Sequence, residues 1–133
     1  MNALNQINGE NWSLINGDSC EAIKGLPDAS IGLSIFSPPF SSLYTYSNSD
    51  RDMGNCKDDK EFFIHFAFLI KEIFRVMNPG RLVAIHCMDL PASKQFLGVI
   101  GLRDFPGDII REFEAEGFIY HSKVTIWKDP VTA

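Results

Sequence analysis

The chain has 133 residues, 45% of them hydrophobic, which suits one domain with a core of its own and excludes global disorder. Its net charge of −5 leaves no basic footprint for nucleic acid, so in any DNA complex most phosphate contacts have to come from elsewhere. A polar amino terminus and no apolar run near about 18 residues argue against a signal peptide and a membrane span, and the widely spaced Cys20, Cys56 and Cys87 fit reduced thiols in a cytoplasmic protein. In chain order, residues 1–10 are polar and expected to fray. Trp12 to Asn16 reads as a short strand closed by Gly17. Asp18-Ser19-Cys20-Glu21 has capping-box spacing, which predicts a helix ending by Gly25, before the Leu26-Pro27-Asp28 turn.

Ile31 to Phe40, I-G-L-S-I-F-S-P-P-F, is the stretch on which the chain is organised. A short apolar run bounded by turn signals reads as a buried strand. Pro38 and Pro39 have no N–H to give a sheet ladder, so the strand stops at Phe36 or Ser37 and leaves the sheet carrying a serine and an aromatic. The carboxyl end of a central strand is where open α/β sheets bind ligands. Ser41 to Lys57, rich in Ser, Asn, Asp and Tyr, is a long loop, and 41–58 is expected to act as a mobile active-site loop.

Asp58 to Glu61 predicts another helix start, and Phe62, Phe66, Leu69, Ile70, Ile73, Phe74 and Met77 recur at helical spacing until Asn78-Pro79-Gly80 stops the helix. Arg81 to His86 is a short apolar strand. Met88 to Arg103 reads as loop with a short helix around 93–96. Pro106 fits the first turn of a helix running to Glu116, with Gly117 as cap and Ile109, Ile110 and Phe113 inward. Phe118 to Trp127 favours a final strand. This alternation of strands and helices predicts an α/β fold with a mainly parallel sheet, in a single domain over 1–133.

The tetrapeptide at 37–40 suits one kind of chemistry. The exocyclic amine of a nucleobase is a poor nucleophile because its lone pair is conjugated into the ring. Two hydrogen-bond acceptors aimed at its protons pull it toward tetrahedral geometry and free that pair. Ser37 offers a hydroxyl oxygen and Pro38 a carbonyl outside the ladder, both held extended by the prolines that follow. Phe40 can stack on the base. Catalysis of this kind rests on positioning and electrostatics rather than on a strong base. The competing reading is a Pro-Pro turn with a solvated serine and a core phenylalanine.

Leu14 to Phe40, L-I-N-G-D-S-C-E-A-I-K-G-L-P-D-A-S-I-G-L-S-I-F-S-P-P-F, resembles the opening of DNA amino-methyltransferases of the N4-cytosine/N6-adenine type. N-P-G-R-L-V-A-I-H at 78–86 resembles that family's next strand, and G-F-I-Y-H-S-K-V-T-I-W-K-D-P at 117–130 a later one; residues 37–58 resemble the phage and prophage version. The resemblance implies a partial Rossmann-like class I methyltransferase sheet, mainly parallel, with helices on both faces. It implies S-adenosylmethionine as cofactor, double-stranded DNA as partner, and Ser37, Pro38, Pro39 and Phe40 as the catalytic motif around a flipped base. Serine in the first position favours cytosine N4 over adenine N6. Asp18 resembles the acidic residue near the cofactor's adenine, a role it can combine with capping a helix. Tyr44 and Tyr46 are candidates for stacking on DNA, and Trp127 for bordering the base pocket; each can equally pack as an ordinary aromatic. His65, His86 and His121 lack ligand-like spacing and read as structural, with no metal site implied.

The family's glycine-rich F-x-G-x-G loop, which holds the methionine end of the cofactor, is absent. The chain therefore reads as the catalytic portion of a permuted methyltransferase, to be completed by a carboxyl-terminal portion or a second chain. With those strands missing, the Trp12 and Ile31 strands either pair directly or leave an open edge, which favours self-association. The alternatives are an inactive remnant or subunit that binds a partner chain, and a methyltransferase for a protein glutamine amide, against which Ser37 and the tyrosine-bearing loop weigh.

Overall fold

The structure, a computed structural model, describes residues 5–129 apart from the side chains of Ser42 and Phe96. Its elements are β1 (Asn5–Asn8), β2 (Ser13–Asn16), α1 (Ser19–Ala22), β3 (Ile31–Phe36), α2 (Asp59–Val76), β4 (Met77–Ile85), β5 (Leu90–Ala92), α3 (Lys94–Leu97), β6 (Gly101–Arg103) and α4 (Phe105–Glu116). The fold is mixed α/β.

The 18-residue α2 is the spine. Asp58 caps it by accepting from the Glu61 N–H at 2.9 Å, and Glu61 reaches back to the Lys57 N–H at 2.6 Å, one residue beyond the position a standard capping box uses. Phe62, Phe66, Ile70, Ile73 and Val76 form its buried stripe. α4 lies against that stripe through Phe105, Ile109 and Phe113, and the rings interlock: Phe62 lies 5.3 Å from Phe66 and 5.6 Å from Phe105, with Phe66 6.2 Å from Phe113. Ile110, expected inward with Ile109, is only half-buried. Each fully buried aromatic contributes roughly 1.5–3 kcal/mol by leaving water. α4 starts on Asp104, whose carboxylate accepts from the Gly107 N–H at 2.9 Å, and ends at Gly117, whose φ of +119° a side chain rarely adopts.

β3 and β4 pair in parallel, with Leu33 opposite Leu82 and Phe36 opposite Ile85. Helix α2 passes into β4 with no linker. Between the Ile31–Met77 and Leu33–Leu82 pairs the ladder is irregular: Asn78-Pro79-Gly80-Arg81 loop out of register, with Gly80 at φ +75°. The strand thus begins inside the stretch expected only to stop the helix. Arg75, in the last turn of α2, ties this point to the turn before β3 through the Ile23 and Leu26 carbonyls at 3.2 and 2.9 Å and through Asp28 and Glu72 at 2.5 and 2.7 Å.

Several expectations need correction. In place of one mainly parallel sheet the described residues form three two-stranded sheets, of which β1–β2 and β5–β6 are antiparallel. β1 lies within the stretch expected to fray. It pairs with β2, so β2 is in a hairpin of its own and does not flank β3. β3 is left with an open edge. Helices do not cover both faces: Phe36, Val83 and Ile85 pack toward the core, whereas Leu33, Ile35 and Leu82 are 55, 72 and 56% exposed. Residues 118–129 are extended but join no ladder among the described residues, so the strand expected at Phe118–Trp127 does not form. Residues 88–103 carry more structure than expected, with β5 and β6 flanking the short α3. No helix among the described residues is long and apolar enough to cross a membrane.

Candidate active site

The corner at the end of β3 is built by the register of the parallel pair. Phe36 sits opposite Ile85, and the His86 N–H donates to the Phe36 carbonyl at 3.0 Å, so the next residues, Ser37 and His86, leave the sheet side by side. The Ser37 hydroxyl donates to the His86 carbonyl at 2.9 Å, and His86 Nδ1 lies 3.3 Å from the same oxygen. With its proton committed to that carbonyl, Ser37 Oγ keeps its lone pairs for an incoming donor. Among the described residues no donor pairs with the Pro38 carbonyl. Ser37 is exposed, Pro38 is buried, and Pro39 and Phe40 are half-buried.

Ser37, Pro38, Pro39, Phe40 and Tyr46 line an open hollow of about 360 Å³. The motif and one loop tyrosine thus meet at one concavity. Phe40 is wedged there, its ring 6.4 Å from Phe105 and 6.4 Å from His86. Tyr44 stands edge-on to Tyr46 at 6.4 Å but does not line the hollow, and neither does Trp127, which is 80% exposed on the extended 118–129 segment. His86, read from the sequence as structural, touches Ser37; the available signal was its place immediately after the apolar run that pairs with β3.

Beyond Phe40 the chain is anchored inward. Ser41 is fully buried at φ +51°, and its hydroxyl donates to the Asp59 carboxylate, which also receives the Arg103 guanidinium. The rest of the 41–58 loop is laced to itself around Asp52. That carboxylate accepts from the N–H groups of Tyr46 at 3.1 Å, Ser47 at 2.6 Å and Gly54 at 2.9 Å, while the Asn55 amide donates to the carbonyls of Ser47 and Ser49. Partial burial raises the Asp52 pKa, but the Gly54, Ser47 and Tyr46 amides outweigh it and hold the group below its ordinary 3.8.

Asp18 caps α1 through the Cys20 N–H at 2.8 Å, as its spacing suggested. Its other oxygen is taken by Arg51 of the same loop at 2.9 Å, and Arg51 also reaches Glu21 at 3.4 Å. Asp18, Arg51 and the polar side of α2 rim a second, larger cavity of about 640 Å³. One loop therefore carries Tyr46 at the hollow and Arg51 at the acidic end of α1. The three cysteines are free, and burial is the main cause that pushes each thiol above its ordinary value.

No family model and no curated protein matches the chain. Solved structures do match. A protein of Thermus thermophilus described as a "Putative DNA Modification Methylase" aligns at 24% identity with a TM-score of 0.59, over 77% of this chain and 39% of its own. The same protein complexed with S-adenosyl-L-methionine aligns at 22% identity with a TM-score of 0.61, over 84% of this chain and 47% of its own. The likeness establishes a shared fold, and this chain spans less than half the length of those structures.

Proposed function

We propose that the chain is the acceptor-site portion of an S-adenosylmethionine-dependent DNA methyltransferase, with a partial Rossmann-like class I sheet, that acts on the exocyclic amine of a flipped base, cytosine N4 in preference to adenine N6. The observation that carries the reading is the corner itself: a serine oxygen with a lone pair to spare, a proline carbonyl unpaired among the described residues and an aromatic ring, on residues that line one hollow. The fold shared with a methylase-described protein supports it.

In this reading Ser37 Oγ and the Pro38 carbonyl accept the two amine protons and raise the nucleophilicity of the nitrogen. Phe40 forms the wall against which the base plane rests, and Tyr46 the opposite rim. When bound, S-adenosylmethionine supplies the methyl group. The methylated nitrogen then loses one of its protons to solvent, which reaches it through the open hollow. Of the residues that would hold the cofactor the chain offers Asp18, whose carboxylate suits an adenine amine; no glycine-rich cradle for the methionine end is present. The proposal therefore includes a further polypeptide portion as partner, with Tyr44 and Trp127 as contacts to DNA.

The test is incubation of the chain, complemented by a polypeptide that supplies the cofactor-binding portion, with methyl-labelled S-adenosylmethionine and unmethylated duplex DNA, followed by nucleoside analysis. N4-methylcytosine is the expected product, and N6-methyladenine would reassign the base. Unlabelled DNA from well-folded protein favours the second reading, a subunit or remnant that keeps the fold and binds a partner chain; the missing glycine loop is the observation behind it.

A further inference from the structure

The acceptor corner is held by few directional contacts. Pro38 and Pro39 have no N–H, so from the end of β3 to Ser41 no ladder hydrogen bond is available to fix it. The two side-chain hydrogen bonds that pin it are both serine hydroxyls: Ser37 to the His86 carbonyl at one end, Ser41 to Asp59 at the other. The Phe40 ring, 6.4 Å from Phe105 and His86, adds packing, which fills space without setting the direction of a carbonyl.

We propose that Asp59 is the positioning residue of this corner: by holding the Ser41 hydroxyl it fixes the downstream end of Ser37–Phe40 and with it the direction of the Pro38 carbonyl. Three features suit Asp59 to the task. It is the first residue of the rigid 18-residue α2, where the partial positive charge of the helix end favours a carboxylate. Arg103, brought in by β6, binds its second oxygen and orients it. And Ser41 is completely buried at φ +51°, a backbone state unfavourable for serine, which the hydroxyl bond to a charged group offsets. The Nε of Arg103 is buried without a partner among the described residues, so Arg103 is placed for its Nη1 contact to Asp59 at the cost of another donor. The inference rests on the acceptor-site reading above for its link to catalysis, but its mechanical part does not.

The two parts are tested separately with Ser41→Gly, since glycine takes φ +51° without strain and loses the small hydroxymethyl group that carries the bond. The Leu43 N–H, which donates to the Phe40 carbonyl at 3.1 Å, reports on the corner; the His86 N–H, bound to Phe36, reports on the sheet. Amide exchange at Leu43 is expected to quicken about 10- to 100-fold, the scale of a lost charge-assisted hydrogen bond, with His86 unchanged and the melting temperature within about 5 °C. Methyl transfer should fall at least about tenfold in kcat with KM for S-adenosylmethionine unchanged. Asp59→Ala should give the same local pattern; if it unfolds, Ser41→Gly carries the test. Leu43 exchange within about twofold of the parent, a general loss of stability, or faster exchange with kcat intact would each overturn the proposal. Faster Leu43 exchange in a chain whose parent transfers no methyl group would uphold the pin and reject the acceptor-site reading.

Discussion

At the scale of single residues, the proposed function rests on Ser37 and the atoms around it. Ser37→Ala removes the proposed acceptor and, at an exposed position, the hydroxyl's bond to the His86 carbonyl. Its methyl transfer is expected to drop about 100-fold, the scale of losing one preorganised hydrogen-bonding group, with the urea midpoint unchanged; a loss below about threefold would remove Ser37 from the mechanism. Asp52 makes a prediction about pH. Its folded pKa is depressed, so the order it gives the 46–54 segment is fully present above the ordinary value of 3.8 and is lost as pH falls through the lower, folded value. Proton shifts of the Tyr46 and Ser47 amides, followed by NMR from about pH 6 downward, should titrate together below 3.8, and Asp52→Asn should abolish that titration. The corner where β3 leaves the sheet was legible in the sequence because proline's missing N–H is a local fact. His86 and Asp59 were not, because each acquires its role from a partner 49 or 18 residues away.

At the scale of elements, α2 and α4 were legible nearly to the residue: their periodic apolar stripes, the Asp58 start, Pro106 and Gly117 are all local signals. Phe66, fully buried between Phe62 and Phe113, is where the two helices meet. Phe66→Ala should destabilise the protein by about 3–5 kcal/mol in urea titrations, a cavity cost set by how little rigid helices can close around it. The strands were less legible. β1 is short and polar, N-Q-I-N, and is a strand only because β2 folds back on it. Residues 118–129 show the converse: Ile119, Val124 and Ile126 give strong strand propensity, but propensity yields a strand only where a neighbouring edge accepts the hydrogen bonds.

At the scale of the whole molecule, the core lies on one side only. A two-stranded parallel sheet is ordinarily covered on both faces, yet here Leu33, Ile35 and Leu82 face solvent along with Ile119, Val124 and Trp127. Self-association is the expected result. Light scattering across a dilution series should give a mass that rises with concentration, and a constant 14.9 kDa would contradict it. Exchanging Leu33 and Ile35 for threonine, which keeps strand propensity while reducing apolar surface, should shift the series toward the monomer. The architecture misread from the sequence, one continuous sheet, was misread for the same reason: alternating elements reveal the class of fold but not how many of its strands a given chain supplies.

The ion pair between Arg51 and Asp18 has an unusual corollary. Whatever donor comes to the Asp18 carboxylate must first evict a tethered guanidinium, and that competition is electrostatic, exposed and therefore weakened by dissolved electrolyte. A neutral amine donor binding there should consequently bind more tightly, by up to a few-fold, as sodium chloride rises from about 10 to 150 mM, the reverse of ordinary charged recognition. Titration of the protein with adenosine, an uncharged carrier of that amine, followed by NMR at the two ionic strengths would reveal that inverted trend, and Arg51→Gln should erase it.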